Sequence, residues 1–255
     1  MTQRRTLVTG ASAGIGRAIA LTLSRRGHAV AGLGRDVHRL AALAEEAPSV
    51  RPIPLDLDGE GACELAVERA AAALGGLDGL VVAHGIAEHG PIEALDAARI
   101  DRHLRVNLRA PLLLLRAFAE RASTPATAVL VTSTLGLRPA PTTTAYAASK
   151  AGLEAAAKAL ALELWPRGIR IATLAPGLTD TEMIRPLRLG PGEVPPEGEE
   201  RAQREAAQRQ ALAGLAPLGR LARPEEIADG VVFLFESELA LGATLVLDGG
   251  LTLRG

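Results

Sequence analysis

A doubly wound α/β domain, one parallel sheet with helices on both faces, is the fold this sequence predicts. Three observations predict it. Short β-prone apolar segments alternate with longer amphipathic ones, a glycine-rich turn joins the first strand to the first helix, and no repeat or linker divides the 255 residues, which read as a single domain over 1–255.

The first strand is "RTLVTG", and "GIGRAIALTLSRRG" follows as the first helix. The strands "HAVAGLG", "VRPIPLDL" and "LDGLVVAHG" then alternate with the helices "DVHRLAALAEEA" and "GACELAVERAAAALGG". Strand and helix in turn make βαβ units, whose crossovers place the strands parallel.

A long helix is expected through "RIDRHLRVNLRAPLLLLRAFAERA", then the strand "TAVLVTS" and the helix "TAYAASKAGLEAAAKALALELWPRG", which its Pro and Gly bring to a stop. The strand "IRIATLAPG" comes next. From 184 to 200 the Pro-, Gly- and Glu-rich "IRPLRLGPGEVPPEGEE" breaks the rhythm, and "RAQREAAQRQALAGLA" reads as an added helix. Residues 184–215 are therefore the expected substrate lid. The helix "PEEIADGVVFLFES" and the strand "ATLVLDGG" close the fold.

Composition excludes several function classes. A net charge of −1 offers no field for nucleic acid or an anionic membrane surface. The longest apolar run, "APLLLLRAFA", falls short of the roughly 18 residues of a membrane span, and "MTQRR" leads directly into glycines and polar residues rather than a signal-peptide core. Cys63 is the sole cysteine and reads as a buried structural thiol, so a reducing, cytoplasmic location is expected. His84 and His89 lack the companions of a zinc site and read as surface or loop histidines; no metal is expected.

"TGASAGIG" places Gly10, Gly14 and Gly16 between strand and helix. There the chain must turn sharply and expose bare amides at a helix N-terminus, an arrangement that cradles a pyrophosphate. The spacing departs from the common dinucleotide fingerprint and lacks the ending of a triphosphate loop. At the end of the second strand Gly34 occupies the place where a ribose-binding carboxylate is expected, and Arg35 follows. A basic residue there favours the 2′-phosphate of NADP(H), with NAD(H) left open through Asp36.

Tyr146 is the only tyrosine, and Lys150, one of only two lysines, stands four residues beyond it. On a helix both side chains leave one face, and a nearby ammonium lowers the phenol pKa toward a working acid–base range. A chain that nearly abandons both residue types keeps this pair, which points to chemistry.

Taken together, "TGASAGIG", "YAASK" and "LAPGLTDTEM" resemble the short-chain dehydrogenase/reductase family of the classical type, over nearly the whole length. The resemblance implies a Rossmann-like fold and four catalytic residues. Ser133 would hold the substrate oxygen, Tyr146 would exchange its proton, Lys150 would lower the Tyr146 pKa and bind the nicotinamide ribose, and Asn107 would hold a relay water. It also implies cofactor contacts from Gly10, Ser12, Ile15 and Gly16 of the loop, from Arg35, and from Asp56 and Leu57 on the adenine side. Val82, Ala83 and Gly85 would border the ribose, and Pro176, Gly177, Thr179 and Thr181 would line the nicotinamide beside Tyr146 and Lys150. Asp58 and Asp180 have only a solvated-surface reading.

Two departures stand out. The family's NNAG element is "VAHG" here, residues 82–85, and Ala13 precedes the second glycine where many NADP-dependent members carry a basic residue. The C-terminal "RLARPEEIADGVVFLF" is most like the 3-oxoacyl-carrier-protein reductase branch, so a reductase of a carrier-bound 3-oxoacyl thioester is the first expectation. Sugar, steroid and alcohol dehydrogenases of the family are the alternative, and a non-catalytic dinucleotide sensor is the alternative from another class. The resemblance also implies a homo-oligomer, a tetramer or dimer.

Overall fold

The computed structural model describes residues 3–187 and 193–253. Seven strands form one parallel sheet: β1 (Arg5–Thr9), β2 (Ala29–Gly34), β3 (Val50–Pro54), β4 (Gly79–Val82), β5 (Ala126–Val131), β6 (Ile169–Pro176) and β7 (Thr244–Leu247). Their order is β3-β2-β1-β4-β5-β6-β7, every neighbouring pair parallel. The order reverses between β1 and β4, and a crevice at such a switch point is where a doubly wound sheet binds its ligand.

Alternation along β1 explains the layering. Leu7 faces a core shared with α3 (Ala62–Leu74), α5 (Ala110–Arg121) and α7 (Thr144–Leu164). Val8, one residue on, faces the opposite core, built with α1 (Gly14–Arg25), α2 (Val37–Glu46) and α9 (Pro224–Glu236). Both faces of the central strands β1, β4, β5 and β6 are buried, as a parallel sheet requires, and each fully enclosed Leu contributes about 2 kcal/mol.

Local chemistry sets the helix ends. The Asp36 carboxylate accepts from the Arg39 amide at 3.0 Å to start α2, and Asp96 accepts from Arg99 at 2.8 Å to start α4 (Ala97–Leu104). After α7 a short 3₁₀ turn, Trp165–Arg167, ends at Gly168 in the left-handed region, φ +74°. Buried Arg170 donates to the Leu234 and Phe235 carbonyls at the end of α9, where helix dipoles favour a cation.

The one long helix expected over 99–122 is α4 and α5 joined through a π-helical turn, Arg105–Arg109. A π turn widens the helix by one residue and shifts the side chains it carries, and this one carries Asn107. Two helices go beyond the sequence reading or refine it: the short α6 (Thr134–Leu137) follows Ser133, and α8 (Gly198–Ala213) begins three residues before the expected start. Residues 188–192 of the expected lid lie outside the described residues. No helix among the described residues is long and apolar enough to cross a membrane.

Candidate active site

Every residue expected to bind cofactor or act in catalysis stands at the C-terminal end of a strand or on an element that packs there. Gly10, Ser12, Ile15 and Gly16 follow β1; Arg35 follows β2; Asp56 and Leu57 follow β3. Val82 ends β4 with Ala83 and Gly85 beyond it, Ser133 follows β5, and Pro176 ends β6 with Gly177, Thr179 and Thr181 beyond it. The topology thus gathers residues 170 positions apart onto one edge.

The glycine loop is built for close approach. Gly10 has φ +69° and Gly14 φ +53°, both left-handed. A Cβ on Gly16 would lie 2.3 Å from the Gly10 carbonyl oxygen, so the loop folds back on itself only with glycine there. Ala13, the residue before α1, offers no side-chain cap, which leaves the first amides of the helix to a ligand. Bare amides at a helix start, with Ser12 beside Gly34, fit the pyrophosphate and adenosine of a dinucleotide.

On the adenosine side the two candidate residues part company. The Asp36 carboxylate is engaged as the α2 cap and lies 3.3 Å from the Arg39 guanidinium. Arg35 is exposed, with only a loose 3.9 Å approach to Asp56. Asp56 accepts from the Asp58 amide at 3.1 Å, and Asp58, exposed on the surface as expected, also pairs with the exposed Arg105 at 2.5 Å.

The catalytic end is buried. Tyr146 and Lys150 leave one face of α7, and both are enclosed, as are Ser133 and Asn107. Ser133 accepts from the Leu135 amide at 3.1 Å and is hydrogen-bonded to the Tyr146 side chain. Lys150 donates to the Val131 carbonyl at 3.0 Å. Burial pushes its ammonium down to about 8. The expected lowering of the Tyr146 pKa by Lys150 is not what this geometry gives. Burial raises the phenol above its ordinary value, and the bond with Ser133 pulls it partly back.

Asn107 knits the site together. Its Oδ1 accepts from the Ile86 amide at 2.9 Å, and its Nδ2 donates to the Ile86 carbonyl at 2.9 Å and to Ser149 Oγ at 3.1 Å. Ser149 in turn donates to the Tyr146 carbonyl at 2.7 Å. A Cβ on Gly85 would lie 3.1 Å from Asn107 Oδ1 and 3.5 Å from Lys150 Nζ, which explains a glycine at that point.

The segment after β4 holds residues the sequence reading missed or misplaced. His84 lies in the loop after β4 as expected, but its ring turns inward: Nδ1 lies 2.7 Å from Thr9 Oγ1, and Nε2 is sealed from solvent. Fully buried His103 accepts from the Glu88 amide at 3.2 Å through Nε2 and bonds the Arg99 carbonyl at 2.8 Å through Nδ1. Its ring stands edge-on to Tyr146, centroids 6.4 Å apart, and His89 flanks Tyr146 at 6.3 Å. Glu88 pairs with Arg99 at 3.2 Å and with Arg102, so the segment carrying His89 is tied to α4.

Beyond β6, Thr181 packs on Gly14, and Glu182 pairs with Arg39 at 2.7 Å across the mouth of the groove. Asp180, expected to be solvated, instead pairs with Arg209 of α8. A cleft of about 410 Å³ opens there, lined by Asp180, Ile184, Arg185, Glu205, Arg209 and Leu212. Cys63 is buried as expected, and burial pushes its thiol up to about 11, which makes it inert.

Comparison with known proteins places this architecture. The family model described as "Enoyl-(Acyl carrier protein) reductase" matches residues 10–252. The chain is 33% identical to cis-4-hydroxycyclohexanecarboxylate dehydrogenase of Sinomonas cyclohexanicum, covering 98% of this chain and 97% of that protein. It is 31% identical to D-erythrulose reductase of Gallus gallus, covering 97% and 95%. Among solved structures, a short-chain dehydrogenase from Burkholderia cenocepacia in complex with NADP superposes with a TM-score of 0.83 at 32% identity, covering 98% of each chain. With its reversed parallel sheet, its glycine loop and its match along almost the entire length, the chain belongs to the short-chain dehydrogenase/reductase family of oxidoreductases.

Proposed function

We propose that this oxidoreductase prefers NADP(H) and interconverts a small hydroxylated secondary alcohol, a polyol or a ring hydroxy acid, with its ketone. The observation that carries the reading is the burial of Ser133, Tyr146, Lys150 and Asn107 together beside the glycine loop. Ser133 holds the substrate oxygen. Tyr146 gives that oxygen a proton in reduction and takes it back in oxidation, and burial keeps the phenol protonated and ready to donate. Lys150 supplies the positive charge beside the phenol and reaches the nicotinamide ribose, while Asn107 keeps Ile86 and Ser149 in place. When bound, the nicotinamide supplies or accepts the hydride.

Exposed Arg35 supports NADP(H) as the preferred partner, because its guanidinium is available to a 2′-phosphate while Asp36 is committed to its helix cap. Gly10, Ser12, Ile15 and Gly16 hold the pyrophosphate, Asp56 and Leu57 the adenine, and Val82, Ala83 and Gly85 the ribose. Pro176, Gly177, Thr179 and Thr181 wall the nicotinamide. The first expectation, a 3-oxoacyl-thioester reductase, is the less well supported substrate reading. The family model's description names a carrier-protein reductase, but the relatives named above are a hydroxycyclohexane carboxylate dehydrogenase and a keto-sugar reductase.

In this reading the chain works as one domain with α8 and the flanking parts of 184–215 as its lid, tied down by Asp180 and Arg209. The molecule is a cytoplasmic homo-oligomer, tetramer or dimer, assembled through its long helices and β7. Exposed Phe233 on α9 and the uncovered edge strand β7 support the contact. NADPH and NADH oxidation with erythrulose, xylulose, 4-oxocyclohexanecarboxylate and an acetoacetyl thioester tests the function. NADPH-linked turnover of the keto sugars or the cyclic ketone is expected. Turnover of the thioester alone contradicts the substrate reading, and turnover of none contradicts the enzyme.

A further inference from the structure

His84 carries an inward-turned imidazole, its Nε2 sealed from solvent, that the proposed reaction does not use. Thr9 Oγ1 fixes its chemistry. That oxygen accepts from the Ala83 amide at 3.1 Å and faces the His84 amide at 3.4 Å, so both lone pairs are spoken for. Its one hydrogen has two acceptors in reach, the Val81 carbonyl at 3.5 Å and His84 Nδ1 at 2.7 Å, and the shorter contact takes it, which leaves the proton of the neutral ring on Nε2. Nε2 is sealed from solvent and has no hydrogen-bond partner among the described residues; the Val106 carbonyl, next to Asn107 in the π turn, draws on the ring from outside full bonding geometry.

The ring therefore joins three parts of the site. Thr9 is the last residue before the glycine loop. Val106 and Asn107 belong to the π turn, and Gly85, adjacent in the chain, stands against both Asn107 and Lys150. Lys150 is the charge that acts on the imidazole. The other charges on the surrounding elements look outward: Arg5 of β1 pairs with Asp78, Arg105 of the π turn pairs with Asp58, and Arg109 is exposed. Tyr146 of α7 is the remaining titratable neighbour of Lys150, and β4 carries no charged residue.

We propose that His84 is a positioning residue, a neutral wedge pinned by Thr9 that holds Gly85 and the Asn107 turn in register and keeps water from Lys150. Burial opposes protonation of the ring, which holds it at about 4, so it is neutral at neutral pH. A charged ring beside the ammonium is excluded on the same ground. Through this wedge the glycine loop and the proton-handling residues share one support. The inference rests on the proposed roles of Tyr146 and Lys150.

His84→Ala and His84→Gln test it, measured by thermal melting, by NADPH binding through Trp165 fluorescence, and by kcat and KM for ketone reduction across pH. In His84→Ala, water reaches Lys150, its ammonium holds its proton to higher pH, and the alkaline limb of kcat moves up by about half a unit or more. The expected kcat loss is about tenfold, with KM changed less than threefold. His84→Gln, which keeps a side-chain acceptor for Thr9 and fills most of the space, restores the limb and most of the rate. A limb and kcat unchanged in a folded His84→Ala overturn the proposal, and so does equal loss in both variants with no shift of the limb, the signature of a structural residue alone. If His84→Ala does not fold, the limb in His84→Gln decides: a wild-type limb with at least a third of the rate supports the wedge, and a lower rate overturns it. Absence of wild-type turnover on every ketone sinks the functional reading instead, so the two failures are told apart.

Discussion

Asn107 and Ile86 bond each other twice, the side-chain amide of one closing on the backbone amide and carbonyl of the other, both at 2.9 Å. The pairing fixes the segment after β4 against the π turn, and through Ser149 it reaches the first turn of the helix that carries Tyr146 and Lys150.

Asn107→Ala removes these bonds and leaves the half-buried Ile86 amide and carbonyl without this partner. A stability loss of about 2 kcal/mol in urea unfolding is expected. Turnover should fall about a hundredfold as the segment beside Lys150 loses its place.

In the proposed function, cofactor choice turns on Arg35. Arg35→Ala should weaken NADPH binding about 10- to 100-fold, the value of a charge-assisted contact to phosphate, and leave NADH binding unchanged. Asp36→Ala should instead cost about 1 kcal/mol of stability through loss of the α2 cap, with the NADPH preference kept. Fluorescence titration with each dinucleotide separates the two.

Gly16→Ala is expected to abolish dinucleotide binding. Its Cβ would meet the Gly10 carbonyl at 2.3 Å, which forces the loop open. Calorimetric titration with NADPH should show no heat while far-UV circular dichroism stays that of the folded chain.

Acid stability should depend on two buried imidazoles. Burial lowers the pKa of His84 to about 4 and lowers that of His28 as well, below the unfolded value of about 6.5. Between those values the unfolded chain binds more protons than the native one, so stability rises with pH and is lost as pH falls from about 6.5 toward 4. Urea midpoints at pH 7 and pH 4.5 should differ less in His84→Gln than in the wild type.

The fold was legible because strands and helices carry different periods, and each of the seven strands formed where an apolar β-prone run predicted it. The gathering of Gly10, Ser133, Tyr146, Lys150 and Gly177 was legible too, since strand ends of a doubly wound sheet meet at one edge. The supporting contacts were not. That Ser149 bridges Asn107 to Tyr146 depends on the π turn at Arg105–Arg109, and that His103 holds the Glu88 amide and His84 turns inward to Thr9 are contacts between segments distant in sequence. No periodicity in "HLRVNLRAP" announces that turn, because it inserts a single residue into an otherwise helical pattern. Asp58 and Asp180 found arginines distant in sequence, which local composition does not reveal.

The most direct test of the central claim compares wild type with Tyr146→Phe, measuring NADPH binding and single-turnover ketone reduction in the same samples. Unchanged NADPH affinity with a loss of about a thousandfold or more in reduction is the predicted result, since the proposed mechanism makes the phenol hydroxyl the proton donor. Reduction by Tyr146→Phe at a rate near that of the wild type would contradict the account.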